Sequence, residues 1–433
     1  VLMTRNLGVD GYGTFSTWIN TADLLFWIFF SALTKCNTYY LSVNKVSISN
    51  FKRKYYIRYV IPALVAVTII ATLIGKSGYC IIFLITGLEL FTLDQSSTLL
   101  TQRHQVISLV GEYVLGRLIL VLGLIGLQSI GKLSLRGLML LYVFQYLVII
   151  VLFLVFRKIK MEKGQDISES VSLKKWGSYQ RADIIQSMIA QMPVLVQYVF
   201  SGAFEAGVVS VVLTVKKMIN FISGPSAKVF LPEFSRLYRN GEKEKIRGCY
   251  ASIMRIQMLF AGPLSVVLIG YPEVVLRILA DKLVEYRFIF VMCSVVFILT
   301  ATLGPCSGLL QMTGNENKDN LFREIALVMM FVVMWLFRKD SLFVLYGLCA
   351  QALLESMGKY YYVCKWMQRG PVKLSTYLSW WLWPGIAIAL TYLMHWEKSL
   401  LYMILCAGIV FCVGAVSELK KEGGIGEILR KKK

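Results

Sequence analysis

The sequence predicts an all-α fold, a polytopic transmembrane helical bundle, and three observations carry that expectation. Of 433 residues, 57% are hydrophobic and only 16% are charged, whereas soluble domains run at about half and about a quarter. The mean hydropathy is +0.63, and runs of about twenty residues with few or no charges recur, the length that crosses about 30 Å of hydrocarbon. The basic residues behind the net charge of +21 fall in every second loop, the positive-inside pattern of a membrane protein. Nucleic-acid binding is disfavoured, because it gathers Lys and Arg on one face or tail.

In chain order the apolar windows are 14–36, 57–75, 79–101, 106–128, 135–156, 180–200, 204–230, 250–270, 286–310, 321–337, 341–364, 376–394 and 398–416, which makes thirteen complete spans. The opening residues Val1 to Thr4 read as the end of another apolar segment. An upstream span is therefore expected, with fourteen in the intact protein. The stretches SVNKVSISNFKRKYYIR (42–58), RKIKMEKGQDISESVSLKKW (157–176) and KVFLPEFSRLYRNGEKEKIR (228–247) and the tail ILRKKK are strongly basic. Those at 201–207 and 338–341 are shorter and less basic. That asymmetry places the first set of loops and the C-terminus in the cytoplasm. The polar stretch after residue 156 divides the chain into an N-terminal lobe (1–156), a cytoplasmic linker (157–179), a C-terminal lobe (180–370), an appended helix pair (371–416) and a basic cytoplasmic tail (417–433).

Nine cysteines lie scattered with no Cys-x-x-Cys pair, and only His104 and His395 are present. Zinc or haem has almost no ligand supply, so neither a metal nor a cofactor is expected. No phosphate-binding Walker loop is present, which excludes ATP hydrolysis by this chain. Pro193, Pro225, Pro263, Pro305 and Pro384 fall within or near spans, where proline kinks helices. The aromatic run Trp380 to Trp383 fits an interfacial belt.

An internal repeat is visible at a constant offset of 194: Gly8 matches Gly202, Gly13 matches Gly207 and Ser16 matches Ser210. In both copies a glycine-containing turn feeds an inward-going helix. Paired repeats related by an axis along the membrane normal are common in transporters. At the same offset Lys217 falls on Asp23, so the two halves place opposite charges at similar depth. An ionised side chain near the bilayer centre costs about 2.5–3.5 kcal/mol on insertion scales and normally faces a bundle interior or a wet cavity. Adjacent residues lie about 100° apart around a helix, so at least one of Lys216 and Lys217 can point inward.

The stretch TRNLGVDGYGTFS (4–16) resembles the turn after the first span in polysaccharide flippases of the multidrug/oligosaccharidyl-lipid/polysaccharide exporter superfamily. FLPEFSRLY (230–238) is similar to the Pro-x-x-Ser-Arg-Leu element that follows an inward helix of the second half, and GLLQMTGNENKDN (308–320) to a Gly-x-x-x-Gly-x-x-Lys loop. The nearest branch is that of the O-antigen and capsule-type flippases. The resemblance implies two pseudo-symmetric six-helix lobes with two C-terminal helices appended, the first span being largely missing here. It also implies movement of undecaprenyl-pyrophosphate-linked oligosaccharide across the bacterial cytoplasmic membrane by alternating access. The implied partners are that lipid-linked anionic oligosaccharide and the membrane lipids, with a polysaccharide polymerase and glycosyltransferases beside them.

A pyrophosphate cargo calls for cationic groups along its path, Lys as a point charge and Arg as a bidentate fork. The substrate-binding candidates are Lys217, Lys216, Arg117 and Asp23, with Arg5 and Arg181 at the mouths. Glu89 and Asp94 are candidates for binding a coupling cation or proton, or for pairing with Arg117. Glu355 and Lys359, four apart on one helix, are expected to neutralise each other. Two other readings stand beside the flippase. A drug or cation antiporter of the same superfamily favours buried carboxylates. A membrane glycosyltransferase or polymerase needs catalytic carboxylates in a substantial loop, and the longest loops here are basic without an Asp-x-Asp. The sequence therefore favours a transporter over an enzyme.

Overall fold

The computed structural model describes residues 2–29, 46–47, 58, 61–62, 65, 69, 80–101, 107, 110–131, 133–159, 165–166 and 173–420. Nearly all of them are helical. The helices are α1 (Leu2–Phe29), α2 (Cys80–Thr101), α3 (Gly116–Ser129, entered through a π-turn at Val110–Leu115), α4 (Leu135–Ile159), α5 (Leu173–Ser201), α6 (Ala203–Arg239), α7 (Lys243–Ser265), α8 (Pro272–Leu279), α9 (Arg287–Ala301), α10 (Cys306–Met312), α11 (Glu316–Leu336), α12 (Phe343–Trp366), α13 (Leu374–Trp380), α14 (Leu382–Leu393) and α15 (Leu400–Lys420). Among the described residues the one extended pairing is a two-residue parallel bridge of Val46–Ser47 with Gln165–Asp166. The expected span 57–75 and the tail beyond 420 lie almost wholly outside the described residues. Five described segments, Leu135–Phe156, Asp183–Ser201, Lys243–Gly270, Asp281–Met312 and Leu400–Ser417, are long and apolar enough to cross a membrane. The chain is an all-α, multi-pass membrane protein.

It forms two compact units, residues 2–207 and 208–433. That boundary falls downstream of the linker expected at 157–179, because α5 packs lengthwise against α1 and stays with the first unit. Within the first unit α1 also lies on α2, and α4 packs against both α2 and α3. Phe15 and Ala22, seven residues apart and so on one face of α1, join Ile82, Ile85, Leu124, Leu138 and Met139 in one core. Thr86 Oγ1 donates to Ala22 O at 3.3 Å, tying α2 to α1.

The repeated glycines have a shared structural cause. Gly8 and Gly202 both sit in the left-handed region, at φ +74° and +103°, which glycine occupies without steric penalty. Five residues later, Gly13 and Gly207 bring the backbones of α1 and α6 together. A Cβ on Gly13 would lie 1.9 Å from Ala203 O, and one on Gly207 would lie 2.3 Å from Val9 O. The contact is reciprocal, because Val9 and Ala203 are themselves 194 residues apart. Each segment offers the carbonyl one turn before its own glycine to the glycine of the other. Small residues at this spacing are what allow close helix approach in a bilayer, and self-complementarity of this kind marks a twofold relation.

In the second unit α11 packs along α12, α7 along α15, and α9 on α12. Gly347 admits α11, since a Cβ there would lie 2.7 Å from Met330 O. Tyr250 is fully buried; its hydroxyl donates to Leu303 O at 2.7 Å. Its ring fills the space beside Gly304, where a Cβ would sit 2.5 Å from it.

Several local expectations change. Residues 230–238, expected to follow a helix, are its continuation: α6 runs 37 residues to Arg239. Phe234 and Leu237, on one face, seat in a core with Ile246, Tyr250 and Ile253, and this burial outweighs the break that Pro232 suggests. The stretch 308–320, expected as a loop, is the end of α10, a turn with Gly314 at φ +72°, and the first turn of α11. The 376–394 span is two helices interrupted at Trp381, with Pro384 in the first turn of α14, where a missing N–H is tolerated. The 286–310 span likewise breaks at 302–305, ahead of Pro305.

The glycine crossing yields a prediction. Gly13→Ala and Gly207→Ala should each lower the thermal midpoint of detergent-purified protein by several degrees. Gly408→Ala, where nothing lies within 4 Å of an added Cβ, should be neutral or raise it, by up to about 1 kcal/mol from helix propensity. Equal midpoints for all three would remove the crossing from the fold.

Candidate functional site: charged groups inside the two units

In the first unit, α1 presents Ser16, Asn20 and Asp23 at helical spacing, and Asn20 Nδ2 donates to Ser16 Oγ at 3.1 Å. Asp23 is half-buried and accepts from Gln191 Nε2 of α5 at 3.4 Å. The facing helix carries a buried polar stripe, Gln180, Asp183, Ser187 and Gln191, and Gln180 Nε2 donates to Trp27 O at 3.2 Å and to Ile28 O. The α1–α5 contact is therefore a polar seam, and amide and carboxylate groups join helices in this way where water is absent.

Glu89 and Asp94 are both buried on α2. Five residues apart, they point about 140° away from each other. Glu89, Asp23 and Arg117 act electrostatically on the same two phenols of α4, Tyr142 and Tyr146, whose rings meet edge to face at 5.6 Å. Three of the predicted residues are thus brought around one tyrosine pair, with one positive and two negative charges among them. Arg117 itself is exposed on α3, and Arg5 and Arg181 are exposed near the starts of α1 and α5.

In the second unit the two adjacent lysines part company. Lys217 is exposed, on the same side of α6 as Thr214 and Met218. Lys216 turns into the unit, its Nζ 5.0 Å from the centroid of the Phe297 ring on α9, a cation–π contact. Glu355, Cys349 and Cys293 are the groups that act on its ammonium; the two sulfurs lie 3.6 Å apart.

Glu355 belongs to a larger network. Lys359 is buried and reaches Glu355 Oε1 at 2.6 Å and Asp319 Oδ1 at 2.7 Å, and donates to Ser307 Oγ at 2.9 Å. Arg323 lies 3.1 Å from Asp319 Oδ2 and 3.5 Å from Glu355 Oε1. Gln311 Nε2 donates to Asp319 Oδ2 at 2.9 Å. The predicted Glu355–Lys359 pair is present, but it is one edge of a cluster joining α10, α11 and α12. Lys359 and Arg323 balance Asp319 and Glu355, and Lys216, on which Glu355 acts, adds one positive charge beside this cluster. Sequence reasoning missed Asp319 and Arg323, although their four-residue spacing is that of a helical ion pair.

A multi-pass helical bundle with charge held inside both units is an arrangement found in membrane transporters, and the comparisons agree on the fold. No family model matches the sequence, and no curated protein does. Among solved structures, the chain is similar to the lipid II flippase MurJ in an inward closed conformation, with a TM-score of 0.69 and 13% identity over 97% of this chain and 95% of that one. It is also similar to a multidrug resistance MATE family transporter of the MOP superfamily in an inward-facing conformation, with a TM-score of 0.63 and 12% identity over 85% of this chain and 96% of that one. At such identities the likeness is one of fold.

Removing one member of a buried ion cluster leaves the others uncompensated, which typically costs about 3–5 kcal/mol. Lys359→Ala should therefore unfold in detergent at a clearly lower temperature than Lys359→Arg. A Lys359→Ala midpoint equal to that of the unaltered protein would show that the network does not hold α11 to α12.

Proposed function

We propose that this chain is a transporter that carries an anionic, lipid-linked oligosaccharide from the cytoplasmic to the outer leaflet by alternating access. Undecaprenyl pyrophosphate is the carrier, Lys216 and Lys217 meet the phosphate charge, and the bacterial cytoplasmic membrane is the setting. The observation that carries the reading is the surplus positive charge around Lys216, about 20 Å along α6 from Ala203 at 1.5 Å per residue. A cation kept that deep in a membrane domain is normally there for function. A pyrophosphate entering beside it would be stabilised by an ammonium that the network already holds in place. The fold shared with a lipid II flippase supports a lipid-linked cargo. Arg5, Arg117 and Arg181, all exposed, would guide the same anion, and the C-terminus would lie in the cytoplasm. A polymerase and glycosyltransferases acting on the same carrier are the expected companions.

A second reading, a drug or cation antiporter, is favoured by one observation. The charges around Tyr142 and Tyr146 are acidic in sum, with Asp23 and Glu89 against Arg117. In the flippase reading that acidic group would take a coupling cation or proton, with Asp94 as a further candidate.

Lys216→Ala combined with Lys217→Ala should reduce lipid-linked oligosaccharide flipping in proteoliposomes more than tenfold, with the protein inserted at normal levels. Lys216→Arg should retain most of it. Unaltered flipping in the double variant would end the cationic-path reading. Drug efflux lost on Asp23→Asn in a chain that flips no lipid-linked sugar would favour the antiporter.

A further inference from the structure

We propose that the segment joining α12 to α14, together with Lys243, forms a binding site for the headgroups of anionic phospholipids. The argument is independent of what the protein transports. Lys365, Arg369 and Lys373 are all exposed, and no Asp or Glu occurs between Glu355 and Glu397. From the neighbouring turn, Lys243 places its Nζ 5.5 Å from the Trp366 ring centroid, and the Tyr238 ring lies 6.1 Å from the same indole. The carboxylates of that turn are already taken: Glu242 pairs with Lys245, and Glu244 with Arg247 at 2.7 Å. What the surface offers outward is positive.

Beside these charges runs an apolar stripe. Leu374 and Leu378 are 72% and 58% exposed, and their spacing of four puts them on one side of α13; Leu382, 56% exposed, opens α14 just past the break. Trp380 and Trp381 follow, their indole N–H groups buried against the protein, and Trp383 is half exposed. Basic residues, exposed leucines and the half-exposed indole of Trp383 are the parts of an interfacial membrane anchor. The leucines enter the acyl boundary, the Trp383 indole sits at the level of the headgroups, and the basic side chains reach the phosphates. A zwitterionic headgroup cancels its own phosphate charge, so the basic surplus selects lipids of net negative charge. Each Lys or Arg near an anionic surface is worth about fivefold in affinity.

The test uses the full chain in nanodiscs of phosphatidylcholine with or without phosphatidylglycerol, with native mass spectrometry counting the lipids retained. The unaltered protein should keep phosphatidylglycerol in preference to phosphatidylcholine. The quadruple variant Lys243→Gln, Lys365→Gln, Arg369→Gln, Lys373→Gln should lose that preference at least tenfold, whereas Arg338→Gln with Lys339→Gln should keep it. Single Lys365→Gln and Lys373→Gln variants, at exposed positions, should each show about a fivefold loss, and they decide the matter if the quadruple variant does not fold. Wild-type retention in the quadruple or in both single variants overturns the proposal. Displacement of the lipid by millimolar inorganic phosphate would make this a phosphate site and overturn it equally.

Discussion

An ionised group held away from water must be answered by the fold, and the ammonium of Lys359 shows how completely this chain does so. The Lys359 ammonium donates to Glu355 Oε1 at 2.6 Å and Ser307 Oγ at 2.9 Å and pairs with the Asp319 carboxylate at 2.7 Å. Those oxygens come from three different helices, so satisfying one charge fixes the mutual position of α10, α11 and α12. Lys216 then sits at the edge of a preset field. It lies over the Phe297 ring and within the influence of Glu355, a carboxylate shared between Lys359 and Arg323.

In the first unit the amides Gln180 and Gln191, with Asp183 and Ser187, line the polar side of α1, and Asp23, Glu89 and Arg117 act on Tyr142 and Tyr146. Two carboxylates and one arginine act on the Tyr142–Tyr146 pair in the first unit, whereas Lys216 brings an added positive charge to the cluster of the second. A backbone architecture does not dictate this difference, because function resides in the side chains of a site rather than in the fold that carries them.

Much of this was legible in the residues. Gly8, Gly13, Gly202 and Gly207 announced the repeat because a positive φ and a backbone crossing both demand glycine, and Glu355–Lys359 announced itself by spacing. Asp319 was hidden because Gly314 and three asparagines make 308–320 read as a loop, which would leave it in water and separate it from Arg323 in the following span. The stripe of Gln180, Asp183, Ser187 and Gln191 vanishes in a hydropathy average, although its helical period survives in the letters. Which of Lys216 and Lys217 turns inward depends on Phe297, eighty residues away, and adjacency in sequence carries no information about that. The end of α6 was misplaced because Pro232 signals a stop locally, while Phe234 and Leu237 are secured by a core that only the tertiary structure assembles.

The crossing of Val9–Gly13 with Ala203–Gly207 has the geometry by which two identical subunits greet each other across a dyad. Here both partners belong to one polypeptide, as they would after a gene for a symmetric homodimer had doubled and fused. Such a junction holds each glycine hostage to the opposite segment of the polypeptide: a side chain at either position requires the facing carbonyl to retreat.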